Sequence, residues 1–374
     1  MTVRLIEDAD ELARDESVAG RYVAALARDG VGHYITNANS RASLLSFGDR
    51  RLPVTVDEGG YGRSYVASPH SAYVLYAREE IDIVGMRRGR TASRSALALL
   101  DRLLRAADLN RCVHIDNWLL STNIHDGWDG AELPEIRRLL AERFPRHLLI
   151  LRSLDRWSSP ALLEAARADG WILAPARQIW VVDDLARDWW PRNNQANDRR
   201  ALAASGLTVE EPDGFDDAEA ARVAELYRLL YVERYSALNP VFTAAFIQLT
   251  QRIGLIHYRV ARDRDGRIMA VAGMMARGDV MTPPVVGYDT QRPKQEALYR
   301  VASWMFCDWA MARGLRLHGS AGAADFKRRR GAHGEIEYMA IHAGHLGAAR
   351  RATVRALAGL LEAWLVPMMR RQGW

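Results

Sequence analysis

Lys294 and Lys327 are the only lysines among 51 basic residues, all the others being arginine. Lysine offers a compact, rotatable point charge with a tunable pKa, where arginine offers a flat fork that never gives up its proton. Lys327 closes the run Asp325-Phe326-Lys327 and opens a basic cluster that continues through Arg330. Lys294 follows Arg292 in the loop from Asp289 to Glu296, and a further cluster, Arg87-Arg88-Gly89-Arg90, precedes a helix start at Thr91. Positive loops that lead into helix N-termini suit phosphate groups. Proton-carrying side chains stand at or near expected strand ends: Tyr288 and Asp289, then His318 and Ser320, with Tyr338 on a final strand. Between Tyr231 and Pro240, Arg234, Tyr235 and Asn239 fall at a helix end, where side chains can reach a ligand over a sheet edge. An arginine on the helix's negative end and an asparagine turn account for the same pattern structurally.

The elements that must position these residues alternate between helical and strand periods along the whole chain, which is an α/β pattern. In the first half the pattern predicts a helix from Asp10 to Arg28, a strand from Arg51 to Val56 and a helix start at Ser68-Pro69 leading into Ala72 to Glu80. It continues with a helix after Thr91, a strand from Cys112 to Leu120, a helix from Glu135 to Arg143, a strand from Leu148 to Leu151, a helix from Ser159-Pro160 to Gly170, and a strand from Ile179 to Val182. Apolar periodicity is lost from Asp183 to Arg200, so the domains are expected at 1–185 and 186–374. The second half follows a similar order, with a strand Leu207 to Glu210, helices Ala218 to Tyr235 and Thr243 to Gln251, and strands Ile256 to Ala261, Ile268 to Ala276 and Val285 to Tyr288. A helix Glu296 to Arg313, a strand Leu315 to His318, a short helix Ala323 to Arg330, a strand Ile336 to Ile341 and a helix Ala349 to Met369 complete it. Two halves of similar element order suggest an internal duplication.

With 374 residues, 49% hydrophobic and 26% charged, the chain is globular and long enough for two cores. A net charge of +5 spread over 46 acidic residues suits anionic small molecules and excludes a dedicated DNA binder, which concentrates its charge. No stretch has the ~18 consecutive apolar residues of a membrane span, and the acidic N-terminus is unlike a secretory signal, so a cytoplasmic protein without membrane attachment is expected. Cys112 and Cys307 are too few for a disulfide framework and sit in apolar surroundings, which reads as core; no histidine pair has metalloprotease spacing, and no metal is expected.

The second-half order of helix, helix, three-strand meander, loop into a long helix, strand, short helix and strand resembles the acyl-CoA N-acyltransferase (GNAT) fold. The run Asp325-Phe326-Lys327, followed by Gly331, resembles the Phe-Lys...Gly pattern of Fem-type aminoacyltransferases, which are built from two GNAT-like domains in tandem. Asp198-Arg199-Arg200 ahead of Ser205-Gly206 resembles the basic helix that opens their second domain. The resemblance implies two tandem GNAT-like domains, each a mixed sheet flanked by helices, and transfer of an acyl or aminoacyl group to an amine of a small metabolite or peptide. The donor it implies is acyl-CoA or an aminoacyl-tRNA, with no permanently bound cofactor. The chain departs from the GNAT pattern in the loop Asp289 to Glu296, which has no glycine; Arg292 and Lys294, or Arg87, Arg88 and Arg90 in the first half, supply the charge for the donor phosphates. Lys327 then neutralises the oxyanion or a donor phosphate, Asp289 orients or deprotonates the amine, and Tyr338 protonates a leaving thiolate, with His318 on the same edge. Arg234, Tyr235, Asn239, Tyr288, Ser320 and Phe326 become acceptor contacts. The absence of a long helical-hairpin arm favours a small donor and specialised metabolism, as a monomer or homodimer. The glycine-free loop equally suits a non-catalytic degenerate pair that binds an acylated or phosphorylated ligand or a partner protein.

Overall fold

The computed structural model describes residues 2–75, 90–106 and 108–372. Among the described residues twelve strands form one sheet: β1 (Arg4–Ile6), β2 (Arg41–Phe47), β3 (Arg50–Glu58), β4 (Arg111–Ile115), β5 (Leu148–Leu154), β6 (Ile172–Val182), β7 (Thr208–Glu210), β8 (His257–Arg262), β9 (Ile268–Arg277), β10 (Val280–Tyr288), β11 (Arg316–His318) and β12 (His333–His342). The helices that matter below are α1 (Ala9–Arg14), α2 (Val18–Asp29), α3 (Arg90–Ala106), α4 (Leu133–Arg143), α5 (Pro160–Ala168), α6 (Asn193–Ser205), α7 (Asp217–Tyr227), α8 (Ala244–Arg252), α9 (Leu298–Ala312), α10 (Ala324–Arg328) and α11 (Ala348–Gln372).

The strand order β1-β2-β3-β4-β5-β12-β6-β11-β10-β9-β8-β7 is symmetric about its centre once β1 to β6 are matched with β7 to β12. Pairing directions obey the same match. Both β4–β5 and β10–β11 are parallel, while β3–β4 and β9–β10 are antiparallel. The sixth strands are exchanged: β12 lies between β5 and β6, and β6 lies between β12 and β11. The duplication suggested by element order is therefore a property of the sheet, and two units of like topology stand in tandem. The exchange also means that neither half of the sequence forms a complete sheet alone. A chain cleaved at a protease site engineered after Asp184 is expected to remain one particle, its two pieces co-eluting on size exclusion until denaturant is added; separate elution would contradict the exchange.

Burial explains the central strands. β5 is buried at all seven positions, the continuous apolar run of a strand with helices on both faces. One core cluster joins Tyr22 of α2 and Trp118 of the first half to Phe242, Phe246 and Val223 of the second. The two halves thus share packing as well as strands.

Several expected elements differ. The helix predicted over Asp10 to Arg28 is two helices, because Asp15 accepts from the Ser17 amide and Ser17 caps α2. β4 stops at Ile115, where Asp116 and then Leu119 take left-handed backbone and turn 116–120 into a buried loop. The helix expected to Tyr235 changes at Arg228 into a π-helical turn, Arg228–Glu233. A π-helical turn, Ser71–Leu75, follows Ser68, and the rest of the helix expected to Glu80 lies outside the described residues. α11 runs through Pro367. By length and composition its Ala348–Arg370 stretch is apolar enough to cross a membrane, contrary to the sequence expectation. Its Val354, Leu357, Ala358 and Leu361 are buried in a core cluster with Leu100 and Leu104 of α3 and Ile150 and Ile341 of the sheet, so the domain itself uses part of that apolar surface.

Candidate functional site: an open wedge between two parallel strands

Parallel neighbours normally stay hydrogen-bonded along their shared length. In the first half they do: all of β4 from Cys112 to Ile115 pairs with Leu148 to Leu151. In the second half β10 pairs with β11 only at Val280 and Met281, although β10 continues to Tyr288 and keeps β9 on its other edge. The departure coincides with a bulge between Thr282 and Val285 that contains Pro283 and Pro284. Proline has no N–H to give a ladder and fits bulges. The two strands therefore part beyond Met281, forming a wedge beside a core cluster that includes Met281, Val286, Val301 and Leu317.

Two lips bound the wedge. One is the loop from Asp289 to Ala297, which delivers the chain to α9. Ala297 is left-handed (φ 54°) and gives no side-chain cap, so the first N–H groups of α9 are not taken by one. Arg292 is ion-paired with Glu296, and Lys294 opens a single 3-10 turn, Lys294–Glu296; both are exposed on this lip. The other lip runs from Gly319 to Ala323 ahead of α10. Ser320 (φ 59°) and Ala323 (φ 50°) are both left-handed, and such conformations persist only where surrounding structure enforces them.

Lys327 is the enforcer. Its Nζ donates to the carbonyl oxygens of Gly319 at 2.7 Å, Ser320 at 3.2 Å and Ala321 at 2.7 Å. An ammonium has three N–H donors, and all three are used. Burial, with Arg177 nearby, lowers its pKa to about 7, while the three carbonyl oxygens favour its charged form. The expectation that Lys327 meets an oxyanion or phosphate is corrected: it has no donor left, and it positions the lip.

Four of the expected acceptor contacts converge. The Arg234 guanidinium donates to the Tyr288 hydroxyl at 2.8 Å, and exposed Tyr235 lies beside the same patch. Tyr288 meets Tyr299 of α9 at 5.9 Å between ring centroids, and Tyr299 meets Phe326 of α10 at 4.7 Å. Arg330 stacks on Phe326 at 3.4 Å and is fixed by Asp198 of α6, which also accepts from Arg300. Sequence reasoning misses Tyr299, the centre of this patch; its only signal there is an aromatic residue entering a helix just past a charged loop. Burial, then Tyr235 and Tyr288, raises its pKa, so the phenol keeps its proton. Among the described residues its hydroxyl has no hydrogen-bond partner.

The other expected site residues lie elsewhere. Burial alone would raise the Asp289 pKa, but the hydrogen bonds from Arg222 at 2.7 Å and from the Gln291 amide hold it below the usual carboxylate range. A carboxylate so engaged is a poor base and ties the loop to α7. His318 is fully buried; its Nδ1 accepts from the Ser320 amide at 3.2 Å, and its Nε2 is 3.9 Å from Asp155. Burial lowers its pKa, which makes it a neutral support beneath the lip. Ser320 accepts from Thr122 of the first half at 3.2 Å. Asn239 is 4% exposed and holds the carbonyls of Tyr231 and Ser236 and the Tyr65 hydroxyl, so it joins the halves. Tyr338 pairs across β12 with Leu154 and Pro175, while the wedge lies beyond β6 and β11. From Pro175 to Val181, the β6 residue opposite His318, the strand advances about 20 Å, too far for Tyr338 to reach a leaving group. Arg87 and Arg88 lie outside the described residues, as does the side chain of Arg90, which opens α3.

Comparison with known proteins falls on the half that holds the wedge. Residues 192–328 match the family model described as an acetyltransferase (GNAT) domain. The second half thus carries a domain of the GNAT acetyltransferase type, and the first half repeats its strand order in the shared sheet. Similar solved structures include L-PGS from Bacillus licheniformis, at 15% identity and a TM-score of 0.45 over 61% of this chain and 79% of that one. FemX matches at 9% identity and a TM-score of 0.42 over 80% and 84% of the two chains. A tandem GNAT protein from the clavulanic acid biosynthesis pathway matches at 10% identity and a TM-score of 0.38 over 91% and 98%. Among curated proteins none matches the sequence.

Proposed function

We propose that the second half transfers an acyl group from a thioester donor lying in the β10–β11 wedge to an amine that enters over the patch of Tyr235, Tyr288, Tyr299 and Phe326. The observation that carries this reading is the separation of β10 from β11 after Met281, where the first half keeps the equivalent strands zipped. The unpaired edge of β10 offers backbone N–H groups to polarise the thioester carbonyl, and the N-terminus of α9, with Arg292 and Lys294, suits the donor phosphates. The acceptor attacks as the free amine, the tetrahedral oxyanion collapses with cleavage of the C–S bond, the protonated Tyr299 phenol supplies the proton to the leaving thiolate, and the proton lost by the acceptor nitrogen as the amide forms passes through solvent to restore the phenol. The donor in this reading is acyl-CoA, and the acceptor an amine of a small metabolite or peptide, with a role in specialised metabolism.

The full chain incubated with a panel of acyl-CoAs and amines is expected to release free thiol only when an amine is present, with the acyl mass appearing on the acceptor. Saturable acyl-CoA binding without thiol release would identify a non-catalytic pair instead. Transfer abolished by ribonuclease would move the donor to an aminoacyl-tRNA.

A further inference from the structure

Asp57, Cys112 and His114 meet on one face of the sheet in the first half, far from the wedge in strand order. Cys112 and His114 are two apart on β4 and so point to the same face. Register pairing sets Asp57 of β3 opposite Cys112. All three are buried, at 3%, 0% and 1% exposure, and their ligating atoms lie within 4.8 Å of one another.

These groups do little for each other as they stand. The His114 Nδ1 is 3.7 Å from the Cys112 sulfur and 4.0 Å from Asp57 Oδ2, and its Nε2 has no hydrogen-bond partner among the described residues. Among the described residues the Cys112 sulfur reaches only the Asn110 carbonyl besides, at 3.5 Å. Asp57 accepts from the Ser40 hydroxyl, which lies 2.9 Å from Oδ1 and 3.0 Å from Oδ2, and faces Arg63 at 3.9 Å through Oδ1, while Oδ2 is also the oxygen nearer the imidazole. Buried polar groups normally find partners, and a thiol, an imidazole and a carboxyl converging without good bonds among them require an explanation.

We propose that Cys112 Sγ, His114 Nδ1 and Asp57 Oδ2 bind one zinc-class divalent ion as a structural site. With bonds of about 2.0–2.3 Å in a tetrahedral site, ligand atoms stand roughly 3.4–3.6 Å apart, so the observed separations close with small side-chain movements. Binding expels the thiol proton, and the carboxyl proton where it is held, so that the thiolate and carboxylate offset the ion's two charges. Arg63 and the buried Arg152 act against a cation here, and the two anionic ligands must outweigh them.

The location gives the ion a role. β9 passes to β10 through a tight turn, but the corresponding link from β3 to β4 is an insertion that contains α3. The three ligands lie at the root of that insertion, under residues that include Ser40, Arg63 and Asn110. An ion there fastens β3 to β4 where the insertion leaves and rejoins the sheet.

The test uses the full chain, stripped with a chelator and titrated with zinc alone or cobalt alone. The wild type is expected to bind one equivalent, to melt at a higher temperature with zinc, and to show a thiolate-to-cobalt charge-transfer band. Cys112→Ser and His114→Gln are expected to bring the stoichiometry near zero, while Cys307→Ser, which changes the other buried cysteine, retains one equivalent. A wild type that takes up no metal, or a Cys112→Ser protein that keeps one equivalent, overturns the proposal. Should Cys112→Ser fail to fold, the cobalt spectrum of the wild type decides: binding without a thiolate band overturns it equally.

Discussion

Replacing Tyr299 by phenylalanine is expected to lower kcat for acyl transfer by about 10²-fold or more, the range over which a positioned proton donor acts, with KM for the donor little changed. The substitution removes one oxygen and leaves the ring between Tyr288 and Phe326, so the patch that shapes the wedge is kept. The hydroxyl makes no hydrogen bond among the described residues, and its loss therefore strands no buried partner. Tyr288→Phe is the matched control: its hydroxyl is already engaged by Arg234, and a loss there should fall on the acceptor's KM. Because burial raises the Tyr299 pKa, the wild-type rate should show no alkaline fall from this group below pH 10. Equal rates for wild type and Tyr299→Phe, measured as thiol release at saturating donor and acceptor, would remove Tyr299 from the mechanism.

Much of the fold is legible in the sequence, for a physical reason. Binary patterning over α9, β9 or β5 reports burial directly, and local turn chemistry at Asp263 to Gly266 dictates a hairpin. Long-range pairing is not legible. The exchange of β6 and β12 leaves no local trace, since each strand is equally apolar beside either neighbour. Opening of the wedge depends on Pro283 and Pro284, which any reader of the sequence can see, but their effect exists only because β11 is the neighbour they fail to bond.

Site residues divide along the same line. Tyr235, Tyr288 and Phe326, which the structure brings into one patch, stand out in the sequence because an aromatic at a helix or strand end has few local duties. Asp289, His318 and Asn239 mislead because a polar group at a strand or helix end serves equally well as a buried tie, and only the partners Arg222, Asp155 and Tyr65, all distant in sequence, distinguish the two uses. The Cys112 cluster is hidden from the sequence for a similar reason. Read alone, Cys112 is a small core residue, and only the pairing of β3 with β4 brings Asp57 to it.

Lys327→Met is expected to destabilise the protein by about 1–3 kcal/mol and to abolish transfer, because the carbonyls of Gly319, Ser320 and Ala321 lose their shared donor together. Lys327→Arg should not rescue it. Three carbonyls arranged around one point suit an ammonium whose donors diverge from a single nitrogen, whereas a guanidinium presents its donors in one plane. That geometry explains why a chain that uses arginine almost everywhere keeps lysine here. The pH dependence gives a signature that a simple packing defect lacks. The unfolded chain holds the Lys327 proton up to its ordinary value of 10.5, and the folded chain gives it up near 7. Between those values the unfolded state binds the extra proton, so this residue's contribution to stability rises with pH from about 7 to 10.5 and is level below 7. The difference in melting temperature between wild type and Lys327→Met should therefore widen as pH is raised from about 7 to about 10. A difference that stays constant would mean that the ammonium's charged form is not penalised by burial, and that the three carbonyls hold it fully protonated throughout.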